Sequence, residues 1–385
     1  NYYIESVWWL LHNLYSQGLI YKGYTIQPYS PAAGTGLSSH ELNMPGCYRD
    51  VKDTTVTAMF RMTSPQGAFK TDWGETYFMA WTTTPWTLPS NTALCVGPKI
   101  DYVLVNTFNP YTAQPISVVM AEARIASYFN PAGAEAAMEN YEKGGKILPY
   151  RVVAHFKGTD LEGLKYEQLF AYVNPGEGAF RVILGDYVST EDGTGIVHIA
   201  PTFGADDAFV AKKAGVPALQ LIDKNGNKRP MVDLKGRFYK LEDLDEDFKQ
   251  KHMNVDLYKT YAGRFVKNAY DDKLTDKDET LDISICMELK ASGLAFRIEK
   301  HVHNYPHCWR TDKPILYYPL DSWFIRSTAR KERMFELNKN IKWKPQSTGT
   351  GRFGKWLENL NDWNLSRSRF WGTPLPIWRS ESGAE

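Results

Sequence analysis

The spacing of hydrophobic and polar positions changes period several times along the chain. Tyr3, Val7, Leu10, Leu11 and Leu14 recur at helical intervals with Gly18 as a stop, which predicts a core-packed helix over residues 1–17. Leu19 to Gly23 reads as a short strand. Residues 27–46, punctuated by Pro28, Pro31, Gly34, Gly36 and Pro45, read as a loop-rich link. Alternation over 50–62 and 73–84 predicts two paired strands, with Ser64-Pro65-Gln66-Gly67 as the turn between them. Tyr102–Val105 and Ile116–Met120 continue that sheet, and helices are expected over 121–129 and 134–143. Phe180–Leu184 leads into a short buried strand, Ile196–Ile199, and residues 206–215 read as a helix with an acidic start and a glycine stop. The acidic run 242–247 reads as a solvated helix face. Many short strands with interspersed helices predict an α+β, β-barrel-like domain over residues 46–299.

Composition narrows the partners more than the fold. The 385 residues, 43% hydrophobic and 23% charged, suffice for two or three domains with sizeable cores. A formal net charge of +1 gives no global attraction to nucleic acid. Residues 321–385 are locally different, with 12 Lys+Arg against 7 Asp+Glu interleaved with Trp323, Trp343, Trp356, Trp363, Trp371 and Trp378. Such a segment could meet an RNA end through phosphate contacts and stacking, and solvated helices with buried tryptophans explain it equally. Cysteines 47, 95, 286 and 308 form no spaced pair, so a reducing, cytoplasmic setting is expected. No apolar run approaches the ~20 residues that span a bilayer, so no membrane partner is expected. The chain opens at Asn1 inside a helical pattern and reads as a piece of a longer protein.

Two stretches carry candidate chemistry. In Trp81-Thr82-Thr83-Thr84-Pro85-Trp86-Thr87-Leu88-Pro89-Ser90-Asn91, three hydroxyls arrive at a proline that ends the strand. A strand stopping there offers a polar floor between two indoles, suited to a small ligand with an apolar body and a polar reacting end. Threonine is also an ordinary strand residue, and most threonine runs carry no chemistry. In Asp192-Gly193-Thr194-Gly195-Ile196-Val197-His198, paired glycines mark a tight turn before a strand bearing one histidine. Asp206 and Asp207 follow at the mouth of the next helix, one expected to cap it and the other left free. A lone core histidine and a capping aspartate are the plain alternatives.

Together these stretches resemble the editing domain of the isoleucyl-tRNA synthetases. Valine and leucine enzymes are similar here but typically carry arginine-proline after the threonines, where this chain has Thr84-Pro85-Trp86. Ser6-Val7-Trp8-Trp9, Pro28-Tyr29-Ser30, Leu37-Ser38-Ser39-His40-Glu41, Ser322-Trp323-Phe324 and Ser366-Arg367-Ser368-Arg369-Phe370-Trp371-Gly372 extend the resemblance over nearly the whole chain. It implies an editing domain at 46–299, inserted between connective segments 1–45 and 300–385 that return to a Rossmann-type catalytic domain. It implies hydrolysis of valine from the acceptor end of mischarged tRNA(Ile), with valine met as ester or adenylate. No cofactor is implied for that step; ATP and magnesium would serve only the full-length ligase, whose His-Ile-Gly-His-like and Lys-Met-Ser-Lys-Ser-like strings are absent. Asp207 would hold the α-ammonium, Thr82, Thr83 and Thr84 would position water and stabilise the oxyanion, and His198 would exclude the larger side chain. Trp81, Trp86, Thr87, Asn91, Gly193, Thr194 and Asp206 would frame the substrate.

The resemblance has one departure. Cysteine pairs found in many members are Ser30 and Ala33 here, with only Cys308 of the second pair, a pattern like the eukaryote-type branch. No metal is therefore expected, although His301, His303, His307 and Cys308 stand close enough in sequence to weigh as a replacement cluster. Two other functions stay open: an acceptor-end binding module without hydrolysis, and a valine-type editing domain that clears threonine.

Overall fold

The computed structural model describes residues 1–275, 277–367 and 372–380, apart from the side chains of Ser39 and Asn140. Ser368 to Trp371 of the basic, aromatic motif lie outside the described residues. The chain divides into a larger unit, residues 26–318, and a smaller one made of 1–25 and 319–385. Strands follow in the order β1 Ile20–Ser30, β2 Thr35–Gly36, β3 Tyr48–Arg61, β4 Glu75–Thr82, β5 Ala93–Val96, β6 Asp101–Phe108, β7 Pro115–Ala121, β8 Arg151–Lys157, β9 Arg181–Leu184, β10 Ile196–Ile199, β11 Leu221–Ile222, β12 Lys228–Arg229, β13 Ala295–Pro306 and β14 Leu316–Ile325.

The larger unit is built on a six-stranded sheet ordered β13-β3-β4-β7-β6-β8. β3 and β4 pair antiparallel with Thr57 opposite Trp81 and Val56 opposite Thr82, and β4 then runs parallel to β7. Alternate residues of these strands enter two separate cores. Met59, Met79, Val103, Val105, Val118 and Met120 face Phe129 and Phe296. Ala58, Phe60, Phe78, Ala80, Tyr102, Leu104 and Val119 face the other way, into the main core. Burial on both faces explains why Tyr102–Val105 of β6 and Val118–Met120 of β7 are apolar at every position. A second sheet, β10-β5-β9, has β5 at its centre, antiparallel to β10 and parallel to β9. The two sheets are tied at Thr194 and Tyr102: Thr194 Oγ1 donates to Met79 O at 2.6 Å, Ala121 N donates to Thr194 O at 2.8 Å, and Tyr102 OH donates to Gly195 O at 2.7 Å.

The fold is mixed α and β as expected, but the sheets are open. The six-stranded sheet ends at β13 and β8, and no closed barrel forms among the described residues. The division of the chain also falls at 25/26 and 318/319 rather than at 45/46 and 299/300. The reason is β13, which pairs along β3 from Ala295 opposite Ala58 to Pro306 opposite Tyr48, straight through the expected boundary. Continuous pairing keeps both segments in one unit.

Several elements differ from their expected form. The first helix, Tyr2–Ser16, has no buried residue, and Trp9 is 65% exposed, so its apolar stripe is not packed into a core here. β1 runs on to Ser30 past Pro28, where a loop was expected. Residues 134–143 give only short 3-10 turns, Pro131–Ala134 and Met138–Asn140, broken between Ala134 and Met138. The acidic run splits, with Asp245 capping helix Glu246–His252 by accepting from Phe248 N at 2.8 Å. No helix among the described residues is long and apolar enough to cross a membrane, and the four cysteines are free and buried.

Candidate active site

The threonine stretch leaves β4 at Thr82 and closes into a 3-10 turn, Pro85–Ser90. Its hydroxyls are unequally employed. Thr82 Oγ1 accepts from Thr84 N at 3.1 Å and lies 3.3 Å from Thr84 Oγ1. Thr87 Oγ1 donates to Thr84 O at 2.8 Å. Thr83 makes no side-chain hydrogen bond among the described residues, and it lines a cavity of about 370 Å³.

The opposite wall comes from the glycine-flanked turn and β10. Gly195 sits at φ +75, and a Cβ there would meet Ala121 Cβ at 2.4 Å, so only glycine lets the turn press onto β7. Arg124 fastens the same turn through Gly193 O and Glu191 O, each at 2.9 Å. Beyond it His198 is 8% exposed, with Nε2 3.1 Å from Thr87 Oγ1. Thr87 has one hydroxyl proton, already given to Thr84 O, so the contact is His198 Nε2–H donating to Thr87. That fixes the tautomer and leaves Nδ1 as a buried lone pair with no partner among the described residues. Burial pushes the imidazolium down to about 4, so the ring is neutral near pH 7.

Asp207 completes the cavity from the first turn of helix Ala205–Ala214. Neither aspartate caps the helix as expected. Gly204 occupies the cap, and a Cβ on it would lie 2.7 Å from Asp207 Cγ. Glycine thus allows the carboxylate to fold back, where Oδ2 accepts from Ala200 N at 2.8 Å. Burial pushes the Asp207 carboxyl up to about 6; the Ala200 N–H opposes the shift and the Asp206 charge adds to it. The site therefore holds one hydroxyl floor, one neutral imidazole and one carboxylate that ionises just below neutrality.

Trp81, Thr82, Thr83, Gly193, Thr194, His198 and Asp207 line this one cavity. Thr84, Trp86, Thr87, Asn91 and Asp206 do not. Trp86 is buried with its ring edge-on to Phe203 at 4.9 Å, which makes it core rather than a frame for ligand. Asn91 is a buried clasp: its Nδ2 donates to Ala93 O at 2.8 Å and its Oδ1 accepts from Tyr166 OH at 2.6 Å. Asp206 is exposed and acts only through its charge. Thr87 acts behind the wall through His198. Two of the three histidines weighed for metal are otherwise engaged: His303 Nε2 lies 3.1 Å from Asp53 Oδ2, and His307 Nδ1 lies 2.9 Å from Tyr305 O, while the His301 ring stands edge-on to Trp81 at 5.2 Å. Among the described residues no group of three or more His, Cys, Asp or Glu could hold a metal ion.

The family described as tRNA synthetases class I (I, L, M and V) matches residues 1–385. The chain belongs to the class I tRNA synthetases. Within them it is similar to the isoleucine–tRNA ligase of Bacteroides fragilis, 72% identical over 385 residues, covering 100% of this chain and 34% of that protein. The Porphyromonas gingivalis isoleucine–tRNA ligase is 66% identical over 386 residues, covering 100% and 34%. The Clostridium acetobutylicum one is 40% identical over 383 residues, covering 100% and 30%. This class I chain spans about a third of the length of these relatives. A solved P. falciparum cytosolic leucyl-tRNA synthetase editing domain overlays with a TM-score of 0.35 at 12% identity, covering 64% of this chain and 99% of that one. An overlay that loose carries no part of the functional reading.

The cavity of this synthetase chain also contains Asp192, which opens the glycine stretch but was given no role, and Tyr187 and Ser189, which sequence reasoning missed. They precede the paired glycines in a segment with no periodicity. The only available signal was their closeness in sequence to Gly193.

Proposed function

We propose that this cavity hydrolyses the ester joining a mismatched valine to the terminal ribose of tRNA(Ile), within a ligase that charges that tRNA with isoleucine using ATP. The observation that carries the reading is the meeting of Thr83, His198 and Asp207 on one cavity of about 370 Å³. Full-length similarity of the chain to isoleucine–tRNA ligases supports the amino-acid assignment. The acceptor end of tRNA(Ile) and the remaining domains of the ligase are the partners this reading requires.

The physical need is clear. A pocket built for isoleucine rejects valine weakly, since one missing methylene is worth only about 1–3 kcal/mol, isoleucine against valine being the standard worked case. A second, smaller cavity that destroys what fits it restores accuracy. Asp207, ionised above about pH 6, would pair with the α-ammonium of the ester and orient its carbonyl. Binding a cation there returns the carboxyl toward its ordinary range.

Water then adds to the carbonyl carbon, the bond from that carbon to the ribose oxygen breaks, and a proton passes from the water to the departing ribose oxygen. Thr83 has a free hydroxyl to hold the water or the developing oxyanion, while Thr82 holds the turn's backbone at Thr84 N. With its pKa at about 4, His198 is a feeble general base near neutral pH. Its role is a wall that stops the larger side chain. The bond to Thr87 keeps that wall from retreating before a larger side chain.

The test is to mix the protein with valyl-, isoleucyl- and threonyl-tRNA(Ile) and follow each ester. Rapid loss of the valyl ester with the isoleucyl ester intact is the expected result. Preferential loss of the threonyl ester would assign a valine-type editing domain, and binding without turnover would assign an acceptor-end binding module.

A further inference from the structure

Outside the cavity, the main concentration of buried charge in the larger unit lies behind the threonine turn. Lys267 Nζ stands 2.9 Å from Asp53 Oδ2 and 3.6 Å from Asp282 Oδ2, and 5.1 Å from the ring of Tyr305. Asp53 Oδ2 also lies 3.1 Å from His303 Nε2. The other oxygen of Asp282 leaves the cluster and accepts from Trp86 N at 2.9 Å.

That last bond is out of the ordinary for both partners. Asp282 stands in the first turn of helix Leu281–Ala291, but the helix is already capped by Thr280, which accepts from Ile283 N at 3.2 Å. The carboxylate is free to serve another element. In the 3-10 turn, Pro85 has no N–H, so Trp86 N is the first donor after Thr84, and the turn itself supplies it no acceptor. A buried amide without a partner is costly, so the turn needs an outside acceptor at that point. Buried ion pairs are rarely favourable over apolar packing in themselves. Their placement here is accounted for by what they hold.

We infer that Asp282, braced by Lys267, is a positioning residue that clamps the Trp86 amide and so fixes Thr83 at the cavity and Thr87 behind His198. The inference rests on the deacylase reading for its consequence, though the clamp itself does not. Loosening Trp86 N frees the segment between Thr82 and Thr87, and with it the hydroxyl that holds His198 Nε2–H. Substrate still binds through Asp207, while the alignment of water and carbonyl is lost.

The test compares Asp282→Ala, which removes the acceptor, with Asp282→Asn, which retains a carbonyl oxygen for Trp86 N. In hydrogen exchange, the Trp86 amide of Asp282→Ala should exchange at least about tenfold faster, with residues 116–120 of β7 unchanged, and Asp282→Asn should stay close to the parent. In valyl-tRNA(Ile) deacylation, Asp282→Ala should lose about tenfold or more in kcat with KM moving less than about threefold, and Asn should recover most of it. Should Asp282→Ala fail to fold, Lys267→Met/Asp282→Leu removes the charges while filling the volume, and the same losses are expected. Unchanged Trp86 exchange overturns the clamp. Faster Trp86 exchange with full kcat overturns the positioning role, as does a kcat loss that Asn does not repair. A parent protein with no deacylation at all overturns the functional reading and leaves the clamp to be judged by exchange alone.

Discussion

At the residue scale the site rests on two groups moved from their ordinary ionisation by burial, in opposite senses for function. His198 stays neutral and Asp207 is held protonated longer than an ordinary carboxylate. A carboxyl whose folded pKa is raised is least costly below its unfolded value, and its contribution is lost as pH rises through about 6. Asp207→Asn, which keeps an acceptor for Ala200 N, should therefore raise unfolding stability at pH 8 by up to ~3 kcal/mol while abolishing most deacylation. Urea unfolding of both proteins at pH 8 and pH 5 checks the sign, the gain shrinking at the lower pH. His198→Ala makes a different prediction. Opening the wall should let the isoleucyl ester be cleaved, and unchanged selectivity would move size exclusion elsewhere. The motif residues Thr83, His198 and Asp207 were legible in the sequence because each lies in a distinctive short string. Trp86 and Asn91 stand in the same strings yet serve the core and the β5 corner, because local sequence does not say which side of a turn faces a cavity.

At the scale of elements, the cavity exists because two sheets meet at Thr194. Thr194→Val keeps the shape but leaves Met79 O without its donor, so a loss of ~1–3 kcal/mol is expected by thermal or urea unfolding. Gly195→Ala is more severe, combining a positive φ with the contact at Ala121, and should cost upward of ~1–3 kcal/mol and lower deacylation with it. Full stability in Gly195→Ala would show that the turn can move off β7. Alternation made β3, β4, β6 and β7 legible, and the acidic start and glycine stop revealed helix Ala205–Ala214. Residues 134–143 misled because their alanines favour a helix while Pro131, Gly133 and the surrounding polar residues break it into single turns. β13 was cut by the expected boundary at 299/300, since its partner β3 lies about 250 residues earlier and long-range pairing leaves no local trace.

At the scale of the whole molecule, the larger unit carries the candidate cavity and its supporting cluster, while the smaller unit carries the exposed Trp356, Trp363 and Trp378. The open six-stranded sheet was not legible as such, because short strands with helices between them fit open and closed arrangements alike. Valine, joined to a terminal adenosine, is expected to lie between Asp207 and His198. The most direct measurement is a crystal structure with valine linked to the 3′ position of adenosine through a non-hydrolysable amide. The α-nitrogen should lie within about 3.2 Å of an Asp207 oxygen, with the isopropyl group against His198 and the carbonyl facing Thr83. An analogue seated elsewhere, or in the cavity with its nitrogen turned away from Asp207, would contradict this placement.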